Sequence, residues 1–515
     1  MKFFFGFWFF CSLLSCSNDP TELWVNYADF PEMEKFFLAG VLNNGMLHDG
    51  TPEKLGFLVV DNPGPETVVI SFERRRTDWK NEGAAFSQNF LFLSRICMVF
   101  PVEPWEEKNL SLEEITNGVI SYTDLIPLHD LTPPHTALKI EGYDVSDAQY
   151  PLVYESGLSF SYGGKHKRRI AKKITALAYQ IQQMIKNDLF ENNEEKIEFD
   201  KRALRIEQRP VLFRIAAGGD VMLARGAEDI LFDEGPEGIL GGTAALVQGA
   251  DLSLINLEGS ISSRGEKAEK TYTFRFDPRA APALKNSGFD AMLIANNHAF
   301  DFGMTGFYDT LDHLDQAGLG VLGAGRNIHA AAAPFYKNGS NLPVKVFGIA
   351  SYGRERSGWD GLDFAADEQM PGILHAGRRG SELIKQQMDK GALNIVFFHG
   401  GIEYADYPDN ATRSLYTDLI RSGADLVIGT HPHVEQGFEW VEGKPVFWSL
   451  GDYVFNEMDD TPGGDMGIFI VLSYLDRILV HIDIYPVFMD GPRTVISPPE
   501  QLDRFYRLTR TLAQK

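Results

Sequence analysis

Seven short apolar runs that each stop abruptly at polar residues set the tightest limit on how this chain can fold: 213–217, 252–255, 291–295, 344–349, 395–398, 426–428 and 446–448. A strand with one face in water alternates apolar and polar residues. Apart from Arg214, Ser253 and Lys345 these runs are apolar, so both faces of each strand are expected to be covered. Helical stretches separate several of them. Doubly buried strands interspersed with helices predict a layered α/β architecture. In such folds chemistry collects in the loops that follow the strand ends.

Five of the runs end in side chains that bind metal ions: Gly218-Gly219-Asp220, Asn256-Leu257-Glu258-Gly259, Ala295-Asn296-Asn297-His298 with Asp301, His399-Gly400-Gly401 with Glu403, and Gly429-Thr430-His431-Pro432-His433. Each alone has an ordinary explanation. An Asp after a strand caps a helix or forms a turn, and an Asn pair is a turn. His-x-His is more specific, because neutral imidazoles are common ligands of divalent ions. Together, carboxylate, amide and imidazole donors suit Mn, Zn or Fe, as one or two divalent ions.

The order Asp220, Glu258, Asn297-His298, His399, His431-x-His433 resembles that of the metallophosphoesterase superfamily. The finer wording resembles its CapA-type capsule-biosynthesis branch: Gly219-Asp220-Val221-Met222-Leu223, Asn296-Asn297-His298-Ala299-Phe300-Asp301-Phe302-Gly303, Gly323-Ala324-Gly325, and Ser449-Leu450-Gly451-Asp452-Tyr453-Val454-Phe455. The resemblance implies a layered metallophosphoesterase-like β-sandwich flanked by helices. It also implies roles. Asp220 and His433 would hold one ion. Asn297, His399 and His431 would hold a second, and Glu258 would bridge the two. His298 would contact the reacting group, oriented by Asp301. Arg225 and Arg275 lie in motif-bearing loops and would either clamp an anionic group or form structural ion pairs. One departure stands out: the superfamily places a histidine two residues after the first aspartate, and here that residue is Met222. The CapA type shares this departure, which removes a ligand from the first ion.

The first two hundred residues read differently. Residues 57–60 and 67–72 read as strands, and 90–100 could hold another. Ser111 to Glu114 looks like a capping-box helix start. Asn109 to Ile115 with Gly118-Val119-Ile120, then Leu138-Lys139-Ile140-Glu141-Gly142 with Tyr150-Pro151-Leu152, resembles phosphate-type periplasmic solute-binding proteins. The phosphate-cradling loops of that family are not evident. A helix is expected over 164–190, because Ile170, Ile174, Leu177, Ile181 and Ile185 recur at helical spacing. The basic residues crowding its first turns read as a solvated face.

The expected domains are therefore a lipoprotein signal peptide over 1–16, a smaller α/β solute-binding-protein-like domain over 20–190, a linker over 191–209, the CapA-type domain over 210–490, and a helical tail over 491–515. The signal rests on Lys2, the short apolar run 3–14, and Leu14-Ser15 before Cys16, which resembles a lipobox. A lipidated Cys16 would anchor the protein to a membrane, facing periplasm or cell surface. Only Cys11 and Cys97 accompany Cys16, so no disulfide framework or thiol-zinc cluster is available.

A net charge of −23 excludes a non-specific nucleic-acid binder. An anionic substrate needs local positive charge from ions or arginines. Three functions remain open at this point. The first is a metal-dependent hydrolase of a phosphoester or of poly-γ-glutamate amides. The second is a protein that grips an anionic polymer within an envelope biosynthesis complex. The third is an anion-binding sensor.

Overall fold

The computed structural model describes residues 211–512 apart from 340–342, 355–357, 459–462 and 499–500. Before residue 211 it describes the backbone of several strands and a few residues between 131 and 150. The chain divides into two compact units. The first is Met1–Pro101, Lys108–Leu131 and Ala137–Pro210; the second is Val102–Glu107, Thr132–Thr136 and Val211–Lys515.

In the first unit, strand Thr21–Asn26 lies between Phe57–Val59 and Val68–Thr77 and runs parallel to both. Val68–Thr77 pairs antiparallel with Val153–Ser161, which pairs antiparallel with Phe90–Val99. Strands therefore stand at all three places where the sequence suggests them. The lipobox with Cys16, the capping box at 111–114, the helix at 164–190, the linker, and most of the solute-binding-protein-like segments lie outside the described residues.

The second unit is built on two sheets. In the first, Gly320–Leu322, Ala291–Leu293, Leu252–Leu257 and Phe213–Met222 run parallel, and Met466–Leu475, Ile478–Asp490 and Arg493–Ile496 continue it antiparallel. In the second, Pro343–Tyr352, Leu393–Gly401, Leu426–Thr430 and Lys444–Leu450 run parallel. Phe335–Asn338 and Glu435–Val441 form antiparallel edges.

Burial alternates along the second sheet as its pleat requires. Val344, Val346, Ile395, Phe397, Ile428 and Phe447 join one core with the first sheet. Their neighbours Phe347, Ile349, Val396, Phe398, Val427 and Trp448 form a second core with helices Gly380–Gln387 and Asn410–Arg421. The first sheet shares its core also with Leu231, Ile239, Leu284, Phe307 and Leu314 of helices Ala227–Leu240, Ala280–Asn286 and Gly303–Gln316. Both sheets are thus covered on both faces, which explains runs that are apolar almost throughout.

The chain beyond 490 is more than a helical tail. Arg493–Ile496 is an edge strand of the first sheet. Helix Leu502–Leu512 packs on Glu435–Val441, where Phe438 N–H donates to Thr509 Oγ1 at 3.1 Å. Among the described residues no helix is long and apolar enough to cross a membrane.

Candidate metal centre

The site begins where one strand changes partner. Phe213–Met222 pairs with Met466–Leu475 as far as Ala217, and from Asp220 onward it pairs with Asp452–Phe455. The exchange brings backbones together closely. A Cβ on Gly219 would sit 2.9 Å from the carbonyl carbon of Gly451, and one on Gly218 would meet the Tyr453 ring at 2.8 Å. Only glycine fits such approaches. The result sets Asp220 directly opposite Asp452 on one side and Asn256 on the other.

The other donors stand at the same sheet ends. Glu258 follows Leu252–Leu257, its N–H donating to Val221 O at 2.8 Å. Asn297 and His298 follow Ala291–Leu293, and His399 lies on Leu393–Gly401 opposite Thr430. His431 and His433 both adopt left-handed backbone, with φ of 98° and 57°. Non-glycine residues avoid that region, and strain of this kind is held only where the surroundings impose it.

The structure brings Asp220, Glu258, Asn297, His399, His431 and His433 together, all buried. Asn256 Nδ2 is the hub, 2.7 Å from Asp220 Oδ1, 3.2 Å from Glu258 Oε2 and 3.2 Å from His399 Nδ1. His399 Nε2 is 3.1 Å from Asn297 Oδ1, and the His399 and His431 ring centroids are 4.6 Å apart. His433 Nδ1 is 2.8 Å from Asp452 Oδ1, and its Nε2 is 3.9 Å from Glu258 Oε1.

His298 stands beside this group. Its Nδ1 is 2.7 Å from Asp301 Oδ2, and its Nε2 faces Glu258 Oε1 at 3.6 Å. Asp301 also accepts from Phe274 N–H at 2.7 Å and pairs with Lys270 Nζ at 3.2 Å. Lys270, buried, donates in turn to Asn297 O at 2.7 Å. One ammonium thus holds the loop that presents both Asn297 and His298.

The two arginines stand farther out. The Arg225 guanidinium donates to Asn456 O at 2.9 Å, forms an ion pair with Glu457 at 3.3 Å and lies 5.3 Å from the Phe274 ring centroid, and the Phe274 ring lies tilted against His298 at 4.4 Å. Arg275 is exposed and lies over Phe302. Four positions escape the sequence reading as functional residues: Asp452, Asn256, Asn296, which donates to Asn256 Oδ1 and accepts from His298 N–H, both at 3.0 Å, and Lys270. The first three sit inside motifs whose wording already matched. Lys270 sits in a polar loop with no pattern to mark it.

Burial governs the electrostatics. It pushes the Asp220 and Glu258 carboxyls up, Glu258 strongly, and Asp452 to about 7. It pushes His399 well down and His431 to about 3, keeping both imidazoles neutral with lone pairs available. His433 is raised well above its usual value: burial opposes its charge, but Asp452, Glu258 and Asp220 around it outweigh that.

Buried like charges this close need a cation. Three buried atoms of ligand type, Glu258 Oε1, Asp452 Oδ2 and His431 Nδ1, have no hydrogen-bond partner. Two groups of donors, Asp220–Glu258–His399 and Asp220–His433–Asp452, each fall within 4.8 Å of one another. These residues fit divalent ions.

Ion binding should therefore stabilise the second unit, by about 2.7 kcal/mol at a hundred times Kd, or roughly 5–10 °C in Tm. The gain should widen with pH. Above about pH 6.5, where free histidine has lost its proton, the unfolded chain holds fewer protons than the fold, because Asp452, Glu258 and His433 are all raised. The ion-free fold therefore weakens as pH rises, while an ion has fewer protons to displace. Calorimetric scans with and without chelator at pH 6.5 and 8 check this. A gap that stays constant or shrinks would contradict it.

Comparison with known proteins gives a consistent relationship. The family model described as bacterial capsule synthesis protein PGA_cap matches residues 214–457. The PGA biosynthesis protein CapA of Bacillus subtilis is 27% identical over 243 residues, 46% of this chain and 62% of that protein. A protein of Mycobacterium tuberculosis described as a probable polyglutamine synthesis accessory protein is 30% identical over 290 residues, 48% of this chain and 75% of that one. This chain thus spans under two thirds of the Bacillus relative and over two thirds of the mycobacterial one. A phosphatase structure from Mycoplasma pneumoniae aligns with 55% of this chain and 96% of its own, at 12% identity and a TM-score of 0.37, a likeness too loose to carry argument.

Proposed function

The chain belongs to the bacterial capsule synthesis protein family PGA_cap, and from that premise we propose that its second unit is a divalent-metal hydrolase of the cell envelope. Its substrate would be an anionic phosphoester or the amide of a poly-γ-glutamate chain. The observation that carries the reading is His298, an imidazole oriented by Asp301 whose Nε2 opens toward the donor cluster, 3.6 Å from Glu258. A site built only to grip an ion or a polymer has no use for an oriented proton donor.

Asp220, Glu258, Asn297, His399, His431 and His433 would hold one or two ions, of Mn, Zn or Fe. Bound there, the ions would supply Lewis acidity and an activated water. His298, carrying a proton on each ring nitrogen, would give the one on Nε2 to the departing oxygen or nitrogen and keep the one on Nδ1. Asp301 would orient the ring by accepting from Nδ1–H, and Lys270, paired with Asp301, would hold it in place. Arg225 sits behind Phe274, where its charge would favour an anionic substrate without touching the ions.

The test uses bis(p-nitrophenyl) phosphate and poly-γ-glutamate with the metal-loaded chain. His298→Gln should leave metal content unchanged and lower turnover by about a hundredfold or more. If the loaded wild-type chain cleaves neither, the hydrolase reading is lost. A second reading, gripping an emerging anionic polymer beside its synthase, has one observation in its favour. Met222 is buried in the core and supplies no hard donor where a further ligand would strengthen a catalytic site. Polymer binding that persists in His298→Gln without any cleavage would select it.

Localisation belongs to the same proposal. Cys16 would carry the lipid that holds the protein at a membrane. Cys16→Ser should shift the protein from the membrane fraction to the soluble one. Unchanged processing and unchanged partition would remove the anchor.

A further inference from the structure

We infer that Asp452 is a metal ligand, and that with Asp220 and His433 it forms one of two ion positions that share Asp220. The inference rests on the metal-centre reading above and changes who does what within it. Donors on one octahedral ion, with bonds of about 2.1 Å, stand roughly 3 Å apart. Asp452 Oδ1 is 2.8 Å from His433 Nδ1, and Asp220 Oδ2 is 3.7 Å from the same nitrogen. The three donors are nearly at ligand spacing already.

Asp220 divides its two oxygens. Oδ2 faces His433, while Oδ1 faces His399 Nδ1 at 3.8 Å within the group completed by Glu258. A carboxylate that offers one oxygen to each of two donor groups is placed to bridge. The resemblance assigned that role to Glu258; the geometry points to Asp220.

A different observation separates ligation from a humbler role. If Asp452 served only to orient His433, one oxygen would suffice, and the other would be paired or wet. Instead Oδ2 is buried and has no partner. Charge points the same way. Asp220, Glu258 and Asp452 bring three carboxyl groups into one buried site. Lys270 is engaged on the far side with Asp301. A buried set of carboxyl groups of this kind asks for cations.

Asp452→Asn is the discriminating change, because the amide oxygen still accepts from His433 Nδ1–H while the anionic ligand is lost. Mn2+ is titrated into the whole chain at neutral pH and free ion is followed by electron paramagnetic resonance, with thermal unfolding of the metal-free protein alongside. The variant should bind Mn2+ at least about tenfold more weakly, or bind one ion where the wild type binds two. Its metal-free form should be no less stable than the wild type, since a buried charge has gone. Wild-type affinity and stoichiometry in Asp452→Asn would overturn the assignment and leave Asp452 as an orienting partner. Asp452→Ser supplies the same comparison if the Asn variant does not fold. A wild-type chain that binds no Mn2+ would defeat the metal-centre reading itself, an outcome distinct from equal binding by wild type and variant.

Discussion

Gly219→Ala is expected to abolish folding of the second unit or to cost it at least about 4 kcal/mol, the range reached when a substitution forces backbone against backbone. The added carbon would lie 2.9 Å from the Gly451 carbonyl carbon and inside contact distance of its oxygen. Neither strand can retreat. Asp220 N–H donates to that same oxygen at 3.1 Å, and Gly451 is followed at once by the Asp452–Phe455 strand that pairs with Asp220. A flexible side chain could swing away, but a carbonyl within a sheet cannot. Gly249→Ala is the control: it ends a helix with nothing within 4 Å of the new carbon, and it should be close to neutral. Urea midpoints of the soluble variants, or their absence from the soluble fraction, decide the matter. A soluble Gly219→Ala within 1 kcal/mol of wild type would refute the close approach on which the site's geometry depends.

Lys270→Met should cost about 3–5 kcal/mol, the usual penalty for stranding one member of a buried ion pair. Methionine fills most of the lysine's volume, so the loss is electrical. Asp301 keeps its bonds from His298 and Phe274 but loses its countercharge, and Asn297 O loses its donor. The double variant Lys270→Met, Asp301→Asn should recover more than half of the loss, because a neutral amide asks for no countercharge and still accepts from His298 Nδ1–H. A double-mutant cycle on urea midpoints reads this directly. Additive losses would mean that the two side chains do not act as a pair.

What the sequence made legible follows from what it repeats along a strand. All seven runs fall on strands, because burial on both faces leaves little polar alternation to obscure them. The antiparallel strand Ile478–Asp490 escaped the same criterion, since much of it is only half buried and its sequence mixes His481, Asp483 and Tyr485 among apolar residues. Met466–Leu475, buried along most of its length, fits that criterion as well, although it is not among the seven. Within the site, His431 and His433 announced themselves by spacing. Asp452 did not, although it lay inside a matched motif. Its role depends on the partner exchange at Gly218-Gly219, which is a property of three strands and not of any one. Lys270 lay beyond reach for a similar reason: a lone lysine in a polar loop is ordinarily solvated, and only the tertiary fold shows it buried.

The order of the strands along the chain has a consequence for how the centre is made. The acids and amides come from the first sheet, and the histidines that complete them come from the second. The first sheet opens the unit at Phe213 but closes only with Arg493–Ile496, after the whole second sheet has been laid down between them. A chain emerging from the ribosome therefore displays its carboxylates long before it possesses its last histidine or Asp452, and no partial product holds a complete coordination sphere. An ion at this centre would be acquired only after the second sheet and Asp452 have been made. Which ion that would be depends on the supply in the compartment where folding ends, not on the supply where translation begins.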